Sequence, residues 1–273
     1  MKISLRSRKE FKSAGRWDID FHLPAEGIKK FPTDLLKRAG LVAEVVKDKR
    51  DPTKAPDSIF RYIDISSVDI STGTVTHAQE IEGSEAPSRA RKVVSAFDII
   101  VSTCRPTRGA IAIIPAKLHN QIASTGFCVL RAHNDINPIY LHFVLRLPST
   151  LEQFRKWSTG SSYPAILDSD VEKTLVPIPS AEDQDAIAAK IIEASRARSG
   201  LVRSANSAWT KTLGEIMAAL CGKDANGASD LTEYYDECAP FTIDEIRKTL
   251  SELEPIRSDK KGNAQPNIAL FSK

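Results

Sequence analysis

The chain has 273 residues, of which 41% are hydrophobic and 27% charged, and its formal net charge is +3. These fractions are those of an ordinary globular protein that is long enough to bury a core. The four scattered cysteines form no CxxC pair, and no run of ~18 apolar residues is present, which excludes a disulfide framework, a zinc site and a membrane span. We therefore expect a cytoplasmic protein with free thiols.

Residues 1–57 are predicted to form a basic lead-in to the main domain. Residues 1–60 contain 14 Lys or Arg and 9 Asp or Glu, which is a net charge of +5. A basic segment of this kind suits contact with nucleic acid without requiring it. Within it, residues 34–47 space their apolar side chains as a helix does, and residues 48–57 form a charged, proline-containing loop.

Residues 58–180 are predicted to form the main domain. Residues 59–65 alternate apolar and polar side chains as a strand does, and a glycine turn leads to a return strand at 74–77. Further short apolar runs bounded by turn residues lie at 96–102, 109–114, 124–131 and 174–179. Residues 138–146 and 150–157 have helical spacing. Together these elements predict an α/β (α+β) domain with a compact mixed sheet.

Residues 181–220 are predicted to form one long helix. They contain no proline, Ser180 stands where an N-cap belongs, and Asp183 follows three residues later. A helix of ~40 residues spans ~60 Å, which is too long to be enclosed by one small domain. Its apolar positions step by three and four as in a coiled coil, which indicates a seam for a partner. The seam residues are Ile187, Ile191, Leu201, Trp209, Leu213, Ile216 and Leu220.

The alternative for this helix is that it packs along its own domain. The remaining residues, 221–273, are predicted to form a polar C-terminal extension. It contains one short amphipathic helix at 241–253, with Thr242 as its cap.

Catalytic motifs are absent from the sequence. It contains no glycine-rich phosphate loop, no nucleophile elbow and no HExxH helix. Asn137, Pro138, Ile139 and Tyr140 resemble the Asn-Pro-Pro-Tyr motif of adenine methyltransferases, but Ile139 replaces the second proline. Asn-Pro is also an ordinary start for a helix. We therefore expect a chain that is not catalytic by itself.

Two basic clusters indicate contact with DNA. One is residues 88–92, in a predicted polar loop, and the other is residues 102–109, where Arg105 and Arg108 flank Pro106. Arginine on a rigid loop suits bidentate recognition of guanine, and short hydroxyls suit phosphate. The alternative is a solvated turn whose arginines pair with nearby acids. The candidate DNA contacts are Arg105, Arg108, Arg89, Arg91, Lys92, Ser102, Thr103 and Thr107, with Ser161, Ser162 and Tyr163 from a third polar loop at 159–166.

Five segments, taken in order, resemble a known family. They are FRYIDISSVD, AFDIIVSTCRPTRGAIAII, STGFCVLRA, PIYLHFVLR and TGSSYPAILDSDVEKTLVPIPSAEDQDAIAAKI. Their order is similar to that of the specificity (S) subunit of type I restriction–modification systems, over residues 58–220. The sequence departs from the family at Ala96 and Phe97, where Gly usually precedes the Asp, and at Asp183, where the family has Glu. A complete S subunit has two recognition domains and two spacer helices, whereas one of each is found here with no internal repeat, so the chain resembles a half-sized, single-domain form.

The resemblance implies a division of labour. The target recognition domain reads double-stranded DNA at one half of a split site, and the long spacer helix holds a separate adenine DNA methyltransferase subunit. That subunit would bring S-adenosylmethionine and flip the adenine, and this chain itself would bind no cofactor. A restriction subunit is a further expected partner, and two chains that pair through antiparallel helices would form a two-fold assembly. The expected role is DNA targeting in restriction–modification or phage defence.

The alternative function comes from another class of protein. An assembly or inhibitor adaptor of such a complex would use the same long helix and never touch DNA. Salt-dependent DNA binding separates the two functions.

Overall fold

A computed structural model describes residues 7–23, 25–160, 162–221 and 243–253. Two short helices come first, α1 (Arg8–Ala14) and α2 (Ile19–His22). Eleven strands follow: β1 (Leu36–Arg38), β2 (Ala43–Val45), β3 (Ile59–Ile63), β4 (Val68–Asp69), β5 (Thr74–Val75), β6 (Gln79–Glu82), β7 (Ala90–Val94), β8 (Ile99–Ser102), β9 (Ile111–Ile113), β10 (Gln121–Ser124) and β11 (Phe127–Ala132). The chain continues through α3 (Pro138–Leu145), α4 (Pro148–Trp157), α5 (Asp168–Lys173), β12 (Leu175–Pro177), α6 (Ala181–Cys221) and α7 (Ile243–Glu252).

The strands form two larger sheets and one two-stranded pair. The strand order is β2-β11-β8-β9-β5-β4 in the first sheet, β6-β3-β10-β7 in the second, and β1-β12 in the pair. Both larger sheets are mixed, because β5 pairs with β9 and β3 pairs with β10 in parallel, while their other pairs are antiparallel. Mixed sheets followed by a long helix confirm the fold class that the sequence predicts.

The six-stranded sheet is the middle layer of the domain. Successive side chains of a strand point to opposite faces, so its central strands β8 and β11 contribute to two cores. The core between this sheet and helices α3, α4 and α5 includes Ile99, Val101, Cys128 and Leu130. The core between the two larger sheets includes Ile100, Phe127 and Val129. Because both faces are covered, every residue of β8 is buried, as its continuous apolar run indicates.

The segment 34–47, predicted as a helix, is in fact two strands. Leu36 in β1 pairs with Pro177 in β12, and Ala43 in β2 pairs with Ala132 in β11. A single 3-10 turn lies between the two strands. The helix prediction was wrong because β11 and β12, which are distant in the sequence, offer backbone groups for pairing at their edges. Pairing with these strands satisfies the backbone of this segment, and the local spacing of apolar residues contains no information about it.

A cluster of hydrogen bonds fixes the start of α6 against the start of α3. The backbone N–H of Asn137 donates to the side-chain oxygen of Gln184 at 3.0 Å, and the Gln184 amide donates to the carbonyl of Pro179 at 3.0 Å. The Asn137 side chain caps α3 by accepting from Ile139 and Tyr140, at 2.9 and 3.2 Å. The Asn-Pro pair is therefore a helix start, as one of the sequence interpretations has it.

The long helix α6 is half docked and half projecting. Its 41 residues span ~62 Å. In the first half Gln184, Ala188, Ile192 and Ser199 are buried against the domain, whereas the described side chains beyond Ser199 are exposed or half-buried. No helix in the described ranges is both long and apolar enough to cross a membrane.

Candidate nucleic-acid interface

The loop between β8 and β9, residues 103–109, is here called the arginine loop. Its base is closed by the backbone N–H of Ser102, which donates to the carbonyl of Ala110 at 3.0 Å. The Ser102 hydroxyl donates to the carbonyl of Cys104 at 2.8 Å, and the residue is 1% exposed. The expectation that Ser102 contacts phosphate is therefore corrected, because its hydroxyl lies inside the loop and holds it closed.

The tip of the arginine loop is a tight turn with a fixed shape. Pro106 begins a single 3-10 turn, in which the N–H of Arg108 donates to the carbonyl of Arg105 at 3.0 Å. Arg105 and Gly109 flank the turn in the left-handed region, with φ of 48° and 74°. That conformation costs a non-glycine residue about 1–2 kcal/mol, so the loop holds Arg105 where a free chain would seldom place it.

A second loop, residues 159–165, is here called the tyrosine loop. Its two ends are joined by a pair of hydrogen bonds, from Thr159 N–H to the carbonyl of Ala165 at 2.9 Å and from Ala165 N–H to the carbonyl of Thr159 at 2.8 Å. Tyr163, near its tip, is 76% exposed. The loop therefore presents an aromatic ring on a closed backbone.

Backbone hydrogen bonds join the arginine loop to the tyrosine loop. The N–H of Arg105 donates to the carbonyl of Pro164 at 2.7 Å, and the N–H of Ile166 donates to the carbonyl of Thr103 at 3.0 Å. The Arg105 guanidinium lies over the Tyr163 ring, 4.7 Å from its centre. This is cation–π geometry, so the two loops form one surface with a charged, planar group at its middle.

Arg89 belongs to the same surface through the turn between β10 and β11. The carbonyl of Arg89 accepts from Thr125 N–H at 2.8 Å, and the carbonyl of Gly126 accepts from Thr103 N–H at 2.9 Å. The sequence interpretation did not include the Thr125–Gly126 turn, although a Thr-Gly pair between two apolar runs is a turn signal. The turn therefore joins the two basic segments, 88–92 and 102–109, on one surface.

Three arginines on this surface have no acidic partner among the residues that the structure describes. Within the described ranges, the side chains of Arg89, Arg105 and Arg108 form no ion pair, and those of Arg89 and Arg108 are exposed. These residues therefore do not fit the alternative of a turn whose arginines pair with nearby acids. Guanidinium groups without an acidic partner suit both phosphate and base-edge recognition, and that of Arg105 is also held over the Tyr163 ring.

The other two basic candidates are engaged within the protein. Residues 90–94 form strand β7 rather than a polar loop, and this turns Lys92 inward. The Lys92 ammonium donates to the carbonyl of Phe127 at 2.6 Å and to Asp168 at 3.2 Å, and its side chain is 13% exposed. The expectation that Lys92 contacts DNA is corrected on this ground. Arg91 lies 3.3 Å from the Asp51 carboxylate, in an ion pair with a side-chain exposure of 26%.

The hydroxyl candidates fall into different environments. Thr103 is half-buried and its hydroxyl donates to the carbonyl of Gly126 at 2.9 Å, so it braces the loop. Thr107 and Ser162 are exposed. Ser161 lies outside the described residues. Thr107, Ser162 and Tyr163 therefore join the three arginines as groups that a ligand can reach.

The predicted seam of α6 divides between the docked and the projecting half. Ile187 and Ile191 are half-buried against the domain itself, in agreement with the alternative of a helix packed along its own domain. Leu201, Trp209, Leu213 and Ile216 are 74, 65, 43 and 49% exposed. The side chain of Leu220 lies outside the described part of the chain. The apolar surface open to a partner is therefore confined to the second half of the helix.

Metal-binding clusters are absent from the described part of the chain. No three His, Cys, Asp or Glu side chains are grouped there so that they could hold an ion. The chemistry that this surface offers is therefore cationic, aromatic and hydroxyl contact.

Comparison with known proteins identifies the class to which this domain belongs. Residues 62–197 match the family described as the type I restriction modification DNA specificity domain. The type I restriction enzyme HindI specificity subunit of Haemophilus influenzae is 25% identical over 151 residues, which cover 54% of this chain and 32% of that protein. The domain with its long helix is therefore a DNA specificity domain of the type I restriction–modification class.

Two solved structures share both sequence and fold with the chain. The HsdS subunit from Thermoanaerobacter tengcongensis is 37% identical, with a TM-score of 0.54, over 70% of this chain and 51% of that one. A chain from a type I R-M system, solved in a study of complex assembly and conformational transition, is 39% identical, with a TM-score of 0.55, over 71% of this chain and 50% of that one. This chain belongs to the specificity-subunit family and spans about half the length of these solved relatives.

Proposed function

We propose that this chain is a non-catalytic, sequence-specific DNA-binding subunit. It reads double-stranded DNA at half of a split site and directs a separate adenine DNA methyltransferase, with its restriction complex, to that site. S-adenosylmethionine would be bound by the methyltransferase, because the sequence of this chain contains no methyl-donor loop. The proposal rests on membership of the specificity-subunit family.

One observation supports DNA reading above all others. Arg105 is held in a strained backbone conformation, its N–H is tied to Pro164, and its guanidinium lies over the Tyr163 ring. A guanidinium fixed in this way loses little side-chain entropy on binding, which favours bidentate contact with a guanine edge. Arg89 and Arg108 on the same surface supply phosphate contacts, with hydroxyls from Thr107 and Ser162.

The projecting half of α6 is the proposed partner surface. Leu201, Trp209, Leu213 and Ile216 are large apolar side chains exposed along one element, and such a stripe in water marks an interaction site. We propose that it holds the methyltransferase assembly and also allows two copies of this chain to pair.

In the experiment, the full chain first selects the duplexes that it prefers from a random DNA library. Fluorescence anisotropy would then compare the selected duplex with a random duplex for the wild type and for Arg105→Ala. Loss of one bidentate base contact should weaken binding to the selected duplex by about 1–3 kcal/mol, which is about 5- to 150-fold. Random-sequence affinity should change little, because phosphates still contact the remaining basic groups.

A matched control separates charge from position. Lys211→Ala also removes one positive charge, but from the exposed side of α6, and should leave the preference for the selected duplex intact. Equal weakening on both duplexes by Arg105→Ala would contradict base reading. If the chain selects no DNA from the library, and its residual affinity for DNA does not vary with salt concentration, the adaptor function is supported instead.

A further inference from the structure

Helix α7 occupies an apolar groove at the base of α6. Ile246 is 3% exposed and packs in a cluster with Ala96, Phe97, Ile139, Ala188 and Ile192, here called the base groove. The Arg247 guanidinium also donates to the carbonyl of Asn134. The contact places an element from the C-terminal extension onto the recognition domain.

The base groove lies at the opposite end of β8 from the arginine loop. Phe97 comes just before that strand, and Thr103 comes directly after it. An occupant of the base groove is therefore separated from the candidate DNA surface by the length of a buried strand. Helix α7 in the base groove therefore does not compete with DNA for the arginines of the candidate DNA surface.

The path back to this groove within one chain is long. Helix α6 continues from Ile192 to Cys221, and those 29 further residues carry the chain ~44 Å away from the groove. Residues 222–242 then connect to α7, and 22 steps between Cα atoms reach at most ~73–79 Å. Seating α7 in its own groove therefore uses more than half of the greatest span that the connection can have.

Five apolar side chains in the projecting half of α6, a set that includes Val202 and Ala205 and leaves out Leu201, have the symmetry of a self-complementary seam. Val202, Ala205, Trp209, Leu213 and Ile216 follow one another at steps of three, four, four and three, so the pattern reads the same in both directions from Trp209. All five side chains are exposed. An antiparallel pair of such helices sets Val202 against Ile216 and Ala205 against Leu213, with Trp209 at the two-fold axis.

That register brings the end of one helix to the base groove of the other. With Trp209 on the axis, Cys221 of one copy lies level with Ala197 of the second copy. Ala197 is five residues from Ile192, or ~7.5 Å along the axis, and paired helices lie ~8–10 Å apart. The groove of the second copy is therefore several times closer to the start of the connection than the groove of the same chain.

We infer that α7 is a domain-swapped helix: in a pair of chains joined through α6, each α7 occupies the base groove of the other chain. This inference rests on the self-association included in the proposed function. The exchange brings the two ends of residues 222–242 several times closer together than seating in the same chain does, and this smaller separation favours the exchange. The exchange adds two buried apolar contacts to the seam, far from the DNA surface, and so fixes the spacing between two recognition domains.

Cross-linking between two differently marked full chains tests the exchange. Cys104, Cys221 and Cys238 are replaced by Ser, and buried Cys128 is kept. One version then carries Asn134→Cys and the other carries Arg247→Cys, at positions that touch when α7 is seated. A short bismaleimide should join the two versions into a covalent heterodimer on a denaturing gel after mixing, and neither version should cross-link alone.

A chain that carries both substitutions provides the opposing outcome. If it closes within itself while the mixture of single variants yields no heterodimer, α7 binds its own groove and the inference is wrong. A further variant, Ile246→Asp, should raise the dimer dissociation constant about 10-fold or more, because each exchanged α7 loses a buried apolar side chain. Glu252→Ala, on the exposed side of α7, should leave that constant unchanged.

The proposed function and the exchange fail in different ways. Sedimentation gives the oligomeric state, and DNA anisotropy on the same samples gives the binding function. A dimer that binds selected DNA without forming the mixed cross-link contradicts only the exchange. A monomer contradicts both the exchange and the self-association, and a cross-linked dimer that selects no DNA contradicts DNA reading alone.

Discussion

The guanidinium carbon of Arg105 lies 4.7 Å from the centre of the Tyr163 ring, although the two residues belong to different loops. Their backbones are tied as well, since Arg105 N–H donates to the carbonyl of Pro164. The ring therefore limits the rotation of the guanidinium before any ligand arrives. An arginine positioned in advance loses less entropy on binding, and this links the geometry of the tyrosine loop to the affinity of the arginine loop.

Tyr163→Ala should weaken binding to the selected duplex by about 2- to 5-fold, which corresponds to an exposed cation–π contact of ~0.5–1 kcal/mol. Tyr163→Phe keeps the ring and should bind like the wild type. Anisotropy titrations of the two variants at one salt concentration provide the measurement. If Phe weakens binding as much as Ala does, the Tyr163 hydroxyl rather than the ring contacts DNA.

Lys92 and Arg89 should behave in opposite ways although both are basic and close in sequence. Lys92→Met removes hydrogen bonds to Phe127 and Asp168, and should lower the free energy of unfolding by about 1–3 kcal/mol. Arg89→Met should leave stability unchanged and reduce the magnitude of the salt slope of DNA binding by about 1. Urea denaturation and affinity at several salt concentrations measure the two effects. A reduced salt slope for folded Lys92→Met would show that its ammonium reaches DNA.

The contrast between these two residues shows where sequence reasoning stops. The sequence identified 88–92 as basic and polar, but strand pairing with β10 decides which side chain points inward. Lys92 stands opposite Ala123 in that pair, and its four-carbon stem reaches the Phe127 carbonyl. A shift of one residue in register would have exposed it, and no local pattern fixes that register.

Elements with strong local signals were predicted close to their observed bounds. The long helix from 181, its Ser180 cap and the Asn-Pro start of α3 depend on residues within one turn of each other. The segment 34–47 was mistaken for a helix because Ala39, Val42, Ala43 and Val46 are buried at spacings that fit a helix as well. Only the edges of β11 and β12, about 90 and 140 residues further on, determine that this segment is extended. The tyrosine loop was identified by composition, but its contact with Arg105 depends on tertiary structure.

Gln184 should be essential to the orientation of α6. It is 2% exposed, accepts from the Asn137 N–H and donates to the Pro179 carbonyl. Gln184→Ala leaves the buried Asn137 N–H and the half-buried Pro179 carbonyl without that partner and should lower the free energy of unfolding by about 2–4 kcal/mol. Glu182→Ala, two residues earlier and exposed, is the control and should change stability by less than ~0.5 kcal/mol. Chemical denaturation measures both, and equal stability of the two variants would contradict a clamping role.

His142 should make the protein sensitive to acid in a defined range of pH. The residue is buried in α3, and burial, reinforced by the Arg146 cation, lowers its pKa from 6.5 to about 3. The unfolded chain therefore binds a proton below pH ~6.5 that the folded chain does not, so stability is unaffected above that pH and falls as the pH is lowered towards 3. At pH 5 the loss of folding stability attributable to His142 should be ~2 kcal/mol relative to pH 7.5.

His142→Gln should remove this part of the dependence of stability on pH, and His77→Gln, at an exposed position, should retain it. Denaturation midpoints at pH 7.5, 6 and 5 measure the slopes, and parallel curves for the two variants would show that His142 is not the group responsible.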